Sequence, residues 1–220
     1  MQWVGHRGDP RHAPENTLAS FESAWRHGRR AVECDVRASR EGVPIVFHDA
    51  TLERMGAGQG PVANQPWRTL RTAQIPSVAD VLAVCRRRRL TVFFDLKTPR
   101  AAGRLPSLLR AAGMTHRTRV ASQHPRALAI VQRVAPRLLR YRVTGYRDAV
   151  TPRLIRQAQQ RQWKGFIAYK RWVTPAVVSR LAREGLELYV WTVRTRDEEE
   201  RFRRMGVTGV MTERCPRSNS

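Results

Sequence analysis

Short apolar runs alternate with amphipathic stretches along the whole chain. Residues 2–6 read as an apolar strand. Leu18, Phe21 and Trp25 then recur at helical spacing, with Thr17 placed to cap that helix and Gly28 to stop it. Residues 31–36 form the next strand. Residues 44–48 follow too soon for a crossover helix, since a parallel connection needs about a dozen residues. They are expected to return beside the preceding strand as a hairpin-like arm turning at Glu41-Gly42. Residues 50–76, rich in Gly, Pro and Gln, read as a long loop over one end of the fold. Ser77-x-x-Asp80 opens a helix with Val78, Val81, Leu82 and Cys85 on one face. Further strands are predicted at 90–96, 119–123, 138–143, Gly165–Tyr169, Glu187–Val193 and Gly209–Thr212. Helices between them begin near Arg104, Pro125, Thr151-Pro152, Thr174-Pro175 and Thr195-x-x-Glu198. Without the arm this makes eight strands and seven crossovers, the pattern of a closed parallel (β/α)8 barrel. The expected organisation is one domain over 1–220 with a small insertion at about 50–76. The competing architecture is an open doubly wound sheet, disfavoured because no Gly-rich nucleotide fingerprint follows the first strand.

Strand side chains alternate between faces. Val32, Cys34 and Val36 therefore share one face, suited to a layer of helices, while Glu33 and Asp35 share the other and point into the barrel. Two carboxylates in a barrel interior repel each other and are costly to bury uncompensated. Either a divalent cation or some of the chain's arginines must compensate them. Asp95 and Lys97 repeat the pattern one step further along the next strand. His6, Asp35, Lys97 and Trp191 fall at the C-terminal ends of strands, where barrel enzymes place catalytic groups. The convergence of three acidic positions with His6 and His48 favours the cation, and oxygen ligands suit Mg2+ or Ca2+. Two histidines can take a proton from a nucleophile and give one to a leaving oxygen. Arg7 offers a planar fork for phosphate. This combination is what metal-assisted chemistry on a phosphate ester needs. Trp191 either lines the pocket or packs the core. His12, His27, His116 and His124 read as loop or surface residues.

Charge changes the picture less than its size suggests. The 220 residues carry 41 Lys+Arg against 18 Asp+Glu, a formal net charge of +23. Only Lys97, Lys164 and Lys170 are lysines, so arginine supplies nearly all of the excess. An anionic partner, nucleic acid or phospholipid, is one reading. Arginine-rich solvated faces are the other, favoured because the arginines are scattered. Arg86–Arg89 is the nearest to a block, and it sits where a helix dipole welcomes cations. No aromatic-basic stacking motif supports specific nucleic-acid binding. Cys34, Cys85 and Cys215 have no disulfide-framework spacing, and the first two read as buried small hydrophobes. No apolar run approaches membrane-spanning length, so a cytoplasmic location is expected.

Several motifs in fixed order carry a resemblance. They are His6-Arg7-Gly8, Pro14-Glu15-Asn16-Thr17, Glu33-x-Asp35, Gly42-x-Pro44 leading to His48-Asp49, Asp95-Leu96-Lys97, Trp191-Thr192-Val193, and Gly206-Val207-Thr208-Gly209 leading to Thr212 and Pro216. With these the chain resembles the glycerophosphodiester phosphodiesterase family over nearly its whole length. The resemblance implies a barrel of the phosphatidylinositol-phospholipase-C type and metal-dependent hydrolysis of a glycerophosphodiester to glycerol 3-phosphate and an alcohol. It implies His6 and His48 as the acid/base pair and Glu33, Asp35 and Asp95 as ligands of one Mg2+ or Ca2+. It implies Arg7 and Lys97 as phosphate contacts, and Glu15 and Asn16 as supporting residues near the metal and the Arg7 loop. Five positions depart from the family pattern. Asp95 stands for the usual glutamate and Glu213 for a common aspartate. Met55-Gly56 replaces threonines after Arg54, and Gln123 replaces a phenylalanine after Ser122. Competing readings are a lysophospholipase D or sphingomyelinase-D-like enzyme on membrane lipids, and a non-catalytic anion- or nucleic-acid-binding barrel. Weak contact with an anionic membrane surface fits the charge. The oligomeric state is open.

Overall fold

The structure, a computed structural model, describes residues 1–214; Cys215, Pro216 and the rest of the polar tail to Ser220 lie outside the described residues. The strands are β1 (Gln2–Gly5), β2 (Ala31–Ala38), β3 (Pro44–Val46), β4 (Thr91–Leu96), β5 (Thr118–Ser122), β6 (Leu139–Val143), β7 (Gly165–Tyr169), β8 (Glu187–Val193) and β9 (Gly209–Thr212). All but β3 run parallel, and pairing of β1 with both β2 and β9 closes them into an eight-stranded barrel. The helices are α1 (Leu18–Arg26), α2 (Trp67–Thr72), α3 (Val78–Arg87), α4 (Leu105–Ala111), α5 (Pro125–Val134), α6 (Pro152–Gln160), α7 (Pro175–Arg183) and α8 (Arg196–Met205). The first strand stops one residue short of the expected end, at Gly5, so His6 begins the loop beyond it. Among the described residues no helix is long and apolar enough to cross a membrane.

Helix starts follow side-chain chemistry. Thr17, Thr151 and Thr174 each accept a bond from the third residue onward, and Ser77 and Thr195 complete capping boxes with Asp80 and Glu198. Each such cap is worth about 1 kcal/mol. Val32, Cys34 and Val36 do join the layer between sheet and helices, with Phe21 of α1 and Val81, Leu82 and Cys85 of α3. Arg88, at the α3 cap, stacks over Trp25 at 3.9 Å and bonds Glu22 at 2.8 Å, tying α3 to α1.

The barrel interior is a separate layer. Phe93, Tyr141 and Tyr189 meet with centroids 5.0–5.9 Å apart, flanked by Val4, Ala121, Ile167 and Met211. Gly209 makes room for them: a Cβ there would lie 2.7 Å from the Tyr189 ring. This apolar plug forms the floor below the site.

The arm behaves as expected, and the segment after it does not. β2 is twice as long as β1, so its C-terminal half has an open edge beyond Gly5. β3 occupies that edge antiparallel, in the register Val36↔Val46 to Ala38↔Pro44. The 50–76 segment is not the structureless loop its composition suggests. It holds two 3-10 turns (Glu53–Met55 and Val62–Asn64) and α2 around its own core of Ile45, Phe47, Leu52, Val62, Leu70 and Ile75. Those apolar positions follow neither period two nor 3.6, which is why periodicity misses them. Its ends meet on β3, where Val46 N donates to Pro76 O at 2.8 Å.

Candidate active site

The loop after β1 is built for close approach. Gly8 adopts φ +90°, and a Cβ would fall 2.3 Å from Ser20 Oγ, so only glycine fits the turn. Arg7 and Asn16 both hold left-handed φ, and Asn16 N bonds Arg7 O at 3.1 Å, which closes the loop. Arg7 N donates to Glu33 Oε2 at 3.0 Å. Its Nη1 donates to both Glu15 oxygens at 3.0 Å, and its Nε lies 3.2 Å from Asp35 Oδ2 without hydrogen-bond alignment. Burial opposes the Arg7 charge, but Asp35, Glu15 and Glu33 outweigh it and hold the guanidinium above its ordinary pKa. Asn16 grips Asp35 twice: Nδ2 donates to Oδ2 at 2.8 Å, and Oδ1 accepts from Asp35 N at 3.2 Å.

Glu33, Asp35 and Asp95 face one point. Asp35 and Asp95 are register partners on β2 and β4, and the three side chains offer oxygens all within 4.8 Å of one another. All three are buried. Lys97 Nζ sits 2.8 Å from Asp35 Oδ1 and 2.6 Å from Asp95 Oδ2. Burial opposes ionisation of Asp35, yet Lys97, Arg7 and His48 hold its carboxyl well below the usual range. Glu33 goes the other way: burial and the Asp35 charge push it well above that range, only partly countered by Lys97. Asp95 Oδ1 is buried with no partner among the described residues. An all-oxygen donor set, an orphaned carboxylate oxygen and a carboxyl that resists ionisation are what a hard divalent cation would satisfy.

The histidines flank this cluster. His6 is buried, its Nδ1 is 3.3 Å from Glu213 Oε1, and its Nε2 is 4.0 Å from Glu33 Oε2. Burial lowers the His6 pKa against the opposing pull of Glu213. His48, at the end of the β3 arm, places Nδ1 2.6 Å from Asp49 Oδ1. Both Nδ1 atoms face acceptor-only carboxylates, so both carry the proton and leave Nε2 for chemistry. Arg54 of the insertion bonds Asp49 and Glu15 together, joining the two histidine flanks across the cleft.

A cavity of about 440 Å³ opens onto these groups. His6, Arg7, Glu33, Asp35, His48, Asp95, Lys97 and Trp191 all line it, while Glu15 and Asn16 stand behind Arg7 and Asp35. Trp191 therefore takes the pocket-wall role, with its Nε1 bonded to Thr144 O at 3.2 Å and its ring against Tyr146 and Tyr169. His124 is the exposed loop residue expected, between β5 and α5, and from there it also lines the cavity. Sequence reasoning also passed over Arg37 and Tyr146 as lining residues. Arg37 was within reach: it continues the alternation of Glu33 and Asp35 on β2, and it donates to His48 O at 2.9 Å. Tyr146 has no such signal.

A sequence model of the glycerophosphoryl diester phosphodiesterase family matches residues 6–216. The chain belongs to that family. Glycerophosphodiester phosphodiesterase 1 of Bos taurus is 25% identical over 260 residues, covering 96% of this chain and 78% of that one. Glycerophosphodiester phosphodiesterase of Caldanaerobacter subterraneus is 24% identical, covering 96% and 93%. Not every relative is matched so fully: the mouse glycerophosphodiester phosphodiesterase 1 aligns over 43% of this chain and 33% of its own length. Among solved structures, an Oleispira antarctica phosphodiesterase in complex with the product sn-glycerol-3-phosphate superposes with a TM-score of 0.88 at 21% identity, covering 97% and 93%. A glycerophosphodiester phosphodiesterase from Agrobacterium tumefaciens gives 0.83 at 26% identity, covering 97% and 96%. The family fold is the (β/α)8 barrel seen here.

Proposed function

We propose that this chain hydrolyses glycerophosphodiesters to glycerol 3-phosphate and an alcohol, with all of 1–220 acting as one catalytic domain. The observation that carries the reading is one cavity containing both the three converging carboxylates and two carboxylate-anchored histidines. Glu33, Asp35 and Asp95 are the residues that would hold a single Mg2+ or Ca2+, which when bound supplies Lewis-acid polarisation of a phosphoryl oxygen. The shorter Asp95 still reaches the cluster within 4.8 Å.

The remaining roles belong to the protein. Nε2 of one histidine takes the proton of the nucleophile as its oxygen bonds to phosphorus. The phosphorus bond to the leaving alcohol breaks, and the other histidine gives that oxygen a proton. If water attacks, one displacement completes the reaction. If the glycerol 2-hydroxyl attacks, a cyclic phosphate forms first, and water opens it with the histidine roles exchanged. Arg7 and Lys97 stand beside the charge that grows on phosphorus. Asn16 and Glu15 fix Asp35 and Arg7 in place, and Glu213 and Asp49 fix the two rings. The formal charge of +23 draws anionic diesters, and anionic lipid surfaces, toward the protein at low salt.

The test is release of glycerol 3-phosphate from glycerophosphocholine and glycerophosphoethanolamine with Mg2+, Ca2+ or EDTA. Release that needs a divalent cation and disappears in His6→Ala is the expected result. Release unaffected by EDTA and by His6→Ala would overturn the reading.

A further inference from the structure

A second group of metal-ligating side chains lies outside the cavity. Asp9 follows the Gly8 turn, His12 lies three residues on, and His27 caps the C-terminal end of α1. His12 Nδ1 and His27 Nδ1 each lie 2.9 Å from Asp9 Oδ2, and the three ligand atoms are mutually within 4.8 Å. Ser23 Oγ donates to the same Oδ2 at 2.8 Å, and Ser20 Oγ holds Asp9 N at 2.7 Å. The two rings stand 4.4 Å apart. Asp9 is buried, whereas the His12 and His27 side chains are 46% and 41% exposed.

We propose that Asp9, His12 and His27 form a binding site for a borderline transition cation of the Zn2+ class. Three polar groups converge on one carboxylate oxygen that has two lone pairs. Without a cation, an imidazole bonds that oxygen only through Nδ1–H, and the oxygen already accepts from Ser23, whose hydroxyl also lies 3.4 Å from His27 Nδ1. A cation replaces both of those protons, turns two crowded donors into ligands and keeps the Asp9 charge neutralised. Zinc ligands about 2.0–2.1 Å from the metal lie about 3.3 Å apart in a tetrahedron, within a few tenths of an ångström of the two histidine-to-Asp9 distances here. The solvent side, where both histidines are exposed, leaves room for a fourth ligand. Donor chemistry separates this site from the cavity: two imidazole nitrogens and a carboxylate suit Zn2+, Co2+ or Ni2+, whereas Glu33, Asp35 and Asp95 offer oxygen alone. An occupied site would tie the 7–16 loop to α1, and that loop also carries Arg7, Glu15 and Asn16.

The test uses the full chain, stripped with chelator and titrated with Zn2+ under excess Mg2+. Wild type is expected to bind an equivalent of Zn2+ and to melt at higher temperature with it. His12→Gln/His27→Gln is expected to lose both effects, while His116→Gln keeps them. Equal zinc binding by wild type and the double variant, or no binding by wild type, overturns the proposal. If the double variant does not fold, Co2+ added to wild type decides: nitrogen-ligand absorption that Zn2+ displaces supports the site, and its absence overturns it. Because the readout is zinc binding and not turnover, failure of the phosphodiesterase reading leaves this result unaffected.

Discussion

The two halves of the barrel interior use the same strands and obey opposite rules. In the lower half, Phe93, Tyr141 and Tyr189 pack ring against ring, and the tyrosine hydroxyls are satisfied by Glu187 at 2.5 Å and Gln2 at 2.9 Å. Two residues further on, two of these strands carry Asp95 and Trp191, and β2 carries Glu33 and Asp35. There Asp95 Oδ1 has no partner among the described residues, and burial pushes the Glu33 carboxyl up. The lower half is built for stability and the upper half for chemistry. The plug offsets the cost of a cup in which three buried carboxylates crowd together.

This division can be broken from either side. Phe93→Ala should cost about 3–5 kcal/mol of stability by opening a cavity in the plug. Denaturant melts read that loss, while kcat of the folded fraction changes little. A comparable loss of kcat with stability intact would refute the separation. His6→Ala and His48→Ala should each lower kcat about 10²–10⁴-fold, with melting temperature nearly unchanged. Glu33→Gln sharpens the contrast. It should raise the stability of the metal-free chain by about 1–2 kcal/mol, because it removes a buried carboxylate that repels Asp35, and it should abolish activity. Stabilisation by added Mg2+ or Ca2+, visible in wild-type melts, should shrink in the same variant. A destabilised Glu33→Gln chain would show instead that the cup is well compensated without metal.

The smallest effect is electrostatic. His6 first, and then Arg194 against the opposing effect of burial, hold the Glu213 carboxyl down to about 2. A depressed carboxyl contributes stability above its unfolded pKa, near 4.3, and loses it as pH falls through the folded value. After solvent screening the contribution is on the order of 1 kcal/mol. Acid melts of Glu213→Gln should therefore match wild type at pH 2 and fall below it at pH 6. Parallel curves across that range would remove Glu213 as an electrostatic anchor of His6.

Much of this was legible in residue order. Strands β7, β8 and β9 begin and end where alternation places them, and α5 starts at Pro125 as expected. Period-two spacing alone sends Glu33 and Asp35 inward. What escaped was set by tertiary docking. The insertion core joins Leu52, Val62, Leu70 and Ile75 at spacings that match no regular element. His12 and His27 look like ordinary polar residues until α1 docks beside the Gly8 turn and brings both to Asp9. In the sequence Glu213 stands out only as a departure from the family pattern, and its contact with His6 spans 207 residues of chain.

The insertion leaves and rejoins the barrel on one three-residue strand, with Val46 bonded to Pro76 at its neck. Such a graft behaves like a cassette. Beyond that neck it bonds the β2–β3 turn, where Gln65 O accepts from Arg40 N and Glu41 Oε2 accepts from Trp67 N, each at 2.9 Å. Arg54 ties that cassette to the reaction centre, and Ala50 lines the cavity itself. Exchanging 50–76 as one piece would therefore remake the rim of the cavity while Glu33, Asp35 and Asp95 keep their places on the barrel strands.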